Sequence, residues 1–280
     1  MHAALEKGGV AVVTGSASGI GLAAARHLAR LGLRVCLVDL DPVRLDAARA
    51  RLLADGTPSG EVMTVPTDLG EHTQILALAD RVTSAWGVVN VLMNNAGIQP
   101  GSSIFGIEGT WDRIIDVNML GVIRGSQVFG PRMIASGRAG LIINTGSKQG
   151  ITTPPGDPAY NVSKAGVKVY TEALQHALRN TQDCRVEARL FIPGFVWTPL
   201  TYGGRSEKPG GAWTPEEAVA FLFAAIDRSD FYILCPDNEV DRGTDEKRIL
   251  WAAGDIVENR PPLSRWHPEY GELFKEWLKV

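Results

Sequence analysis

The chain has 280 residues, 45% of them hydrophobic and 21% charged, a balance that fits a globular protein with a sizeable core and excludes the disordered and fibrous classes. Its 28 Lys and Arg against 31 Asp and Glu leave a net charge of −3, and with no basic stripe or polybasic tract the sequence argues against nucleic acid as a partner. No apolar run approaches the roughly 20 residues of a membrane span and no signal-type stretch precedes the first apolar run, so a cytoplasmic protein without a membrane partner is expected.

In chain order, short apolar runs predict strands at Val10–Thr14, Arg34–Val38, Glu61–Val65, Val88–Met93, Leu141–Thr145, Val186–Ile192 and Phe231–Leu234. Between them, amphipathic patterns predict helices over 19–31, 42–54, 71–86, 110–136, 157–180 and 215–228, several beginning beside Thr, Asp or Pro. Runs such as VAVV and VCLV lack an alternation of apolar and polar residues, which is the pattern of strands covered on both faces. The expectation is an α/β fold, a doubly wound parallel sheet in a single domain over residues 1–235, with a C-terminal extension over 236–280.

Two stretches depart from this regularity. Residues 197–213, rich in Gly and Pro between aromatic ends, predict a mobile loop that serves as a substrate lid, with a plain surface insertion as the alternative. The extension carries Trp251, Trp266, Tyr270, Phe274 and Trp277, too apolar a set to remain in solvent, and is expected to dock beside the lid or to reinforce the outer face of the core, in its own subunit or a neighbour's. Cys36, Cys184 and Cys235 show no CxxC spacing and read as reduced thiols, and the scattered histidines form no ligand pair, so no metal site is expected.

The chemistry concentrates in three places. Gly15, Gly19 and Gly21 in TGSASGIG follow the first strand and open the first helix, the context in which a glycine turn cradles a pyrophosphate at a helix N-terminus. Asp39 ends the second strand, where a carboxylate accepts the adenosine ribose hydroxyls and repels a 2′-phosphate; with Ser18 and Leu40 at the positions where a phosphate-binding cation would stand, and Arg44 expected to face solvent, the cofactor expected is NAD rather than NADP. Tyr160 and Lys164 stand at i and i+4 of one helix, so the ammonium is expected near the phenol, lowering a pKa that is ordinarily about 10; Ser147 upstream is placed to hydrogen-bond a substrate oxygen.

These motifs resemble those of the short-chain dehydrogenase/reductase family, and the resemblance runs over roughly residues 9 to 198. TGSASGIG is similar to the family's cofactor turn, the Asn94-Asn95-Ala96-Gly97 segment to its NNAG motif, and Pro193-Gly194-Phe195-Val196-Trp197-Thr198 to the stretch that meets the nicotinamide. The resemblance implies a Rossmann fold and a catalytic tetrad of Asn118, Ser147, Tyr160 and Lys164, with Asn118 positioning a water for proton relay. It implies cofactor contacts from Gly15, Ser18, Gly19, Ile20, Gly21, Asp39, Asp68, Leu69, Asn95, Ala96, Gly97, Tyr160, Lys164, Pro193, Val196 and Thr198, and Gln149, Trp197 and Tyr202 are the candidates for substrate contact. The function expected is an NAD-dependent oxidoreductase interconverting a secondary alcohol and a ketone, working as a homodimer or homotetramer; a catalytically idle NAD-binding sensor or scaffold is the alternative. Bland roles compete at single positions: Asn118 at a helix bend, Ser147 at a strand end, Asp68 as a helix cap, Asn94 and Gly97 as braces of the sheet.

Overall fold

The computed structural model describes residues 1–106 and 109–279; Ile107, Glu108 and the tail's last residue, Val280, lie outside the described residues. Seven strands, β1 (Val10–Thr14), β2 (Arg34–Asp39), β3 (Val62–Pro66), β4 (Val91–Asn94), β5 (Gly140–Thr145), β6 (Val186–Ile192) and β7 (Tyr232–Leu234), form one sheet in the order β3-β2-β1-β4-β5-β6-β7. Every pairing is parallel, from Val35 opposite Val62 to Ile192 opposite Leu234. The unbroken apolar runs are explained by cover on both faces: helices α1 (Gly19–Arg30), α2 (Pro42–Ala54) and α8 (Pro215–Asp227) bury Leu28, Leu45 and Leu222 on one side. Helices α3 (His72–Trp86), α5 (Gly121–Ala135) and α7 (Pro158–Arg179) bury Leu78, Phe129 and Leu178 on the other. Between β1 and β4 the winding reverses direction, which opens a crevice beyond the C-terminal ends of the strands, where open sheets of this class hold their ligands.

Helix starts follow local chemistry. Asp41 accepts from the Val43 and Arg44 N–H groups ahead of Pro42, Asp157 accepts from Tyr160 ahead of Pro158, and Thr214 closes a capping box with Glu217 ahead of Pro215. β4 starts at Val91 rather than at the expected Val88, because Asn90 turns the chain into the sheet: its amide oxygen accepts from Val10 N–H at 3.0 Å and its own N–H donates to the Val10 carbonyl. The helix expected over 110–136 is broken into α4 (Thr110–Ile115), one wide turn at Asp116–Leu120 and α5, with the Gly121 N–H reaching back five residues to the Asp116 carbonyl. A short helix not expected from the sequence, α6 (Gln149–Thr152), follows Ser147 and stops at Thr153, which adopts a left-handed φ of 42°.

The tail folds into α9 (Arg242–Val257) and α10 (Gly271–Lys279). Three of its aromatic residues cluster on one another: the Trp251 ring lies 5.4 Å from Phe274 and 6.1 Å from Trp277, with the Arg260 guanidinium 4.1 Å over it. This group packs on α9, and α9 on α6, whereas the stretch directly after β7 meets the 197–213 loop. Cys36 and Cys235 are buried free thiols pushed up to about 12 by that burial. Among the described residues no helix is long and apolar enough to cross a membrane, and no cluster of His, Cys, Asp or Glu is disposed to hold a metal ion.

Candidate active site

The crevice deepens into a cavity of about 710 Å³ running from the glycine turn to α7. At its nucleotide end lie Gly15, Ser18, Gly19, Ile20 and Asp39. The turn is pinned to β2, since Ala17 N–H donates to Asp39 Oδ2 at 3.1 Å and the Ser16 hydroxyl exchanges hydrogen bonds with the Val38 backbone. Gly21 lies beneath the cavity, not on its wall; a Cβ there would stand 2.2 Å from the Gly15 carbonyl oxygen, so only glycine lets α1 start this close to the turn. Ser18 at the N-cap makes no side-chain hydrogen bond to the helix, so the first N–H groups of α1 face the cavity as an anion cradle.

The side wall carries Asp68, Leu69, Asn95, Ala96 and Gly97. Asp68 is gripped by both arms of Arg113, at 3.0 Å each, and accepts from Gly70 N–H. Burial works to raise its carboxyl, but the Arg113 hydrogen bonds, the Gly70 N–H and the Arg113 charge together hold it below the ordinary carboxylate range. Asn95 braces the glycine turn, donating from Nδ2 to the Thr14 carbonyl at 3.1 Å, and the Thr14 hydroxyl accepts from the N–H groups of Asn95 and Ala96. Asn94 points the other way, into a buried chain of Ser126, Asn144 and Thr171 that ties β4, β5, α5 and α7 together.

At the far end Ser147, Gln149, Tyr160 and Lys164 meet Pro193, Val196 and Thr198. The first turns of α7 put Tyr160 and Lys164 on one face, with Nζ 5.7 Å from the phenol ring centre and donating to the Thr145 carbonyl at 2.9 Å. The expected lowering of the phenol is not what the chain alone produces. Burial pushes Tyr160 up to about 12, against the hydrogen-bonding pull of Ser147 and with the Asp157 charge adding to the rise. The same burial brings Lys164 down to about 8.

Besides Gly21, three expected residues fall elsewhere. Asn118 sits in the wide turn before α5, fully buried behind the wall, where it accepts from Ile98 N–H at 2.8 Å and donates to the Ile98 carbonyl at 2.9 Å. Both polar atoms of its amide engage Ile98, and Nδ2 also donates to the Ser163 hydroxyl at 3.4 Å. Trp197 and Tyr202 do not line the cavity that holds Tyr160; their rings lie 4.3 Å apart and border a second cavity of about 500 Å³ between α1 and α2. The two rings are tilted by 39° to each other. Arg44, expected to face solvent, is exposed yet borders both cavities. Arg113 was not foreseen, and its position on α4 carries no local signal that it will meet Asp68.

Residues 9–208 match the description of the short chain dehydrogenases. The chain belongs to the short-chain dehydrogenase family. A 3-oxoacyl-[acyl-carrier-protein] reductase, FabG, from Thermotoga maritima is 34% identical over 236 residues, spanning 80% of this chain and 93% of the relative. A short-chain dehydrogenase from Burkholderia phymatum, solved in complex with NAD, superposes with a TM-score of 0.82 at 32% identity, covering 91% of this chain and 96% of that one. A metagenomic short-chain oxidoreductase in complex with NADP superposes with a TM-score of 0.68 at 32% identity, covering 82% and 98%. The chain is thus a short-chain dehydrogenase on a Rossmann-type sheet, an oxidoreductase acting on CH–OH groups with a nicotinamide dinucleotide. Its own residues fit that cofactor: the Gly21 contact, the free N–H groups of α1 and the carboxylate at Asp39 suit the pyrophosphate and ribose of a dinucleotide.

Proposed function

We propose that this short-chain dehydrogenase uses NAD to interconvert a secondary alcohol and a ketone, with Tyr160 as the acid and base. The observation that carries this reading is the convergence of Ser147, Tyr160 and Lys164 at one end of a cavity whose other end is Asp39 and the glycine turn. A dinucleotide bound in this cavity would supply or accept the hydride. In reduction the Tyr160 phenol gives its proton to the substrate oxygen, and in oxidation the phenolate takes it back. Ser147 donates a hydrogen bond to the same oxygen, and Gln149 borders the space for the rest of the substrate. Lys164 would hold the nicotinamide ribose and lend positive charge to the phenolate, and Pro193, Val196 and Thr198, on the same end of the cavity, would border the nicotinamide. Asn118 steadies the wall through Ile98.

The choice of NAD rests on Asp39, whose carboxylate opposes a 2′-phosphate; Arg44, on the same end of the cavity, works in the other direction. Purified protein screened with NAD and with NADP against polyols, sugars, steroids and aromatic alcohols, followed by reduced-nicotinamide absorbance, is expected to give a larger kcat/KM with NAD. Asp39→Ala is expected to shift the preference toward NADP, and adding Arg44→Ala to that variant to remove the NADP activity gained. A wild-type preference for NADP overturns the ribose assignment, and no turnover of any alcohol with either dinucleotide overturns the enzymatic reading in favour of an idle binding protein.

The same reading includes a homodimer or homotetramer built on α5 and α7, supported by Val162 and Val169, which stand exposed on one face of α7. Light scattering on active protein at micromolar concentration is expected to give a multiple of the 30.1 kDa chain mass, and a monomeric mass overturns it.

A further inference from the structure

A buried ion cluster joins the tail to the residue that follows Ser147. Lys148 lines the cavity, yet its ammonium lies 2.5 Å from Asp245 Oδ2 and 3.2 Å from Asp237 Oδ2, with side-chain exposures of 16%, 5% and 8% respectively. Arg248 approaches the other Asp245 oxygen at 3.9 Å. The Lys148 charge is therefore matched within the protein and is not left to hold an anionic substrate.

Both carboxylates come from beyond β7, and each is tied to more than the lysine. Asp237 Oδ1 accepts from the N–H groups of Glu239 and Val240, closing a tight turn, while Oδ2 also accepts from Phe195 N–H at 3.4 Å. Gly194 faces this oxygen: a Cβ there would stand 2.8 Å from Asp237 Oδ2 and 3.0 Å from Lys148 Nζ, so the absent side chain is what lets the 193–196 turn close on the cluster. In the same turn Asn238 takes hold of the base of the lid, donating from Nδ2 to Gly210 at 2.8 Å and from N–H to Gly211 at 3.1 Å and accepting from Trp213 Nε1 at 3.0 Å. Asp245 brings the first turn of α9 to the same point. The loop bearing Ser147, the turn beside the nicotinamide end and the root of the lid thus meet at residues 237–245.

We propose that the Lys148 ammonium, clamped between Asp237 and Asp245, is a positioning residue through which the C-terminal segment fixes the Ser147 turn against the 193–196 turn, making residues 237–245 a working part of the reaction site. A cation shared by two buried carboxylates resists displacement, because parting it from either leaves an unpaired charge out of water. Errors of about 1 Å in the placement of a reacting group lower rates by about a hundredfold, so a clamp one residue from Ser147 acts on catalysis without touching substrate. The proposal rests on the reading that Ser147 and Tyr160 form the reaction centre, and its test keeps the two apart.

The test uses the full chain carrying Asp245→Asn, Asp237→Asn or Lys148→Arg. Asp237→Asn retains the acceptor that closes the 237–240 turn and removes only the charge. Two readouts are taken: hydrogen exchange in peptides spanning 146–152 and 193–197, and steady-state kinetics with NAD and an alcohol found by the screen. Each Asn variant is expected to exchange at least tenfold faster in both peptides with α1 to α3 unchanged, and to lose at least tenfold in kcat while the KM for NAD stays within twofold. Lys148→Arg, which restores a cation between the carboxylates, is expected to keep most of the protection and most of the rate. Unchanged exchange in both peptides and kcat within twofold, even with a lowered melting temperature, overturns the proposal and leaves the cluster as an attachment for the tail. If Asp245→Asn does not fold, the Asp237→Asn and Lys148→Arg pair decides by the same criteria. Faster exchange in a protein whose wild type turns over no alcohol upholds the clamp and sinks the reaction reading alone.

Discussion

Tyr160→Phe is expected to lower turnover by about 10² to 10⁴ or more, the usual contribution of a positioned acid or base, while NAD affinity stays within a few-fold. The variant removes one oxygen from a buried ring whose hydroxyl neighbours Ser147, and the cradle at the glycine turn and Asp39 lies at the other end of the cavity. Steady-state absorbance gives the rate, and calorimetric titration gives the NAD dissociation constant without need of substrate. Wild-type-like turnover in the variant refutes the mechanism. The pKa of Tyr160 adds a directional expectation. With the phenol pushed up to about 12, the neutral form that donates a proton dominates at pH 7, and the phenolate needed for oxidation grows about tenfold per pH unit below that value. Alcohol oxidation by the wild type is therefore expected to climb between pH 7 and 8, below the point at which Lys164 loses its charge, and ketone reduction not to climb with it; equal climbs count against Tyr160 as the proton carrier.

Lys164→Met is expected to abolish most activity and yet raise stability at neutral pH. Burial brings the Lys164 ammonium from 10.5 to about 8, which corresponds to roughly 3 kcal/mol of native-state penalty for carrying the charge. Loss of the Nζ hydrogen bond to the Thr145 carbonyl offsets this by about 1 to 3 kcal/mol, leaving a net gain of about 1 kcal/mol. The sign follows from proton uptake. Between pH 8 and 10.5 the unfolded lysine binds a proton that the folded one does not, so wild-type stability rises with pH across that window. The advantage of the variant is accordingly largest below pH 8 and shrinks as pH climbs to 10.5. Urea unfolding at pH 7 and pH 10 checks this: a variant less stable than wild type at pH 7, or an advantage that grows with pH, contradicts it.

Much of the architecture was legible because its signals are local. Val10–Thr14 and Arg34–Val38 announce covered strands by unbroken apolar runs, and Asp41-Pro42, Asp157-Pro158 and Thr214-Pro215 announce helix starts by capping chemistry. The glycine turn and the Tyr160–Lys164 spacing are local as well, which is why both ends of the cavity could be read from the chain. What escaped depends on distance along the sequence or on competition between forces. The wide turn at Asp116–Leu120 inserts one residue without disturbing the apolar pattern on either side. Trp197 and Tyr202 lie against each other and border the second cavity, and nothing in a Gly- and Pro-rich loop says which way its aromatic rings will turn. The contacts of Arg113 with Asp68 and of Asp237 and Asp245 with Lys148 join residues far apart in sequence. The spacing of Tyr160 and Lys164 reports the neighbouring cation and says nothing of how deeply the phenol lies, and in the chain alone burial works in the opposite direction.

The placement of the tryptophans has a spectroscopic consequence. None of the seven lies in a strand, and only Trp251 is buried; Trp197 and Trp213 bound the 197–213 loop, and Trp251, Trp266 and Trp277 belong to the tail. Intrinsic fluorescence therefore weighs the tail heavily, with three of seven tryptophans there, although Trp86 and Trp213 pack against the core, while far-ultraviolet circular dichroism is dominated by α1 to α8 and the sheet. Two melting curves recorded on one sample, one by each signal, compare loss of the tail's packing with loss of the core's helices and sheet, and a change in emission on adding nucleotide reports on the surroundings of Trp197 and Trp213 without any label.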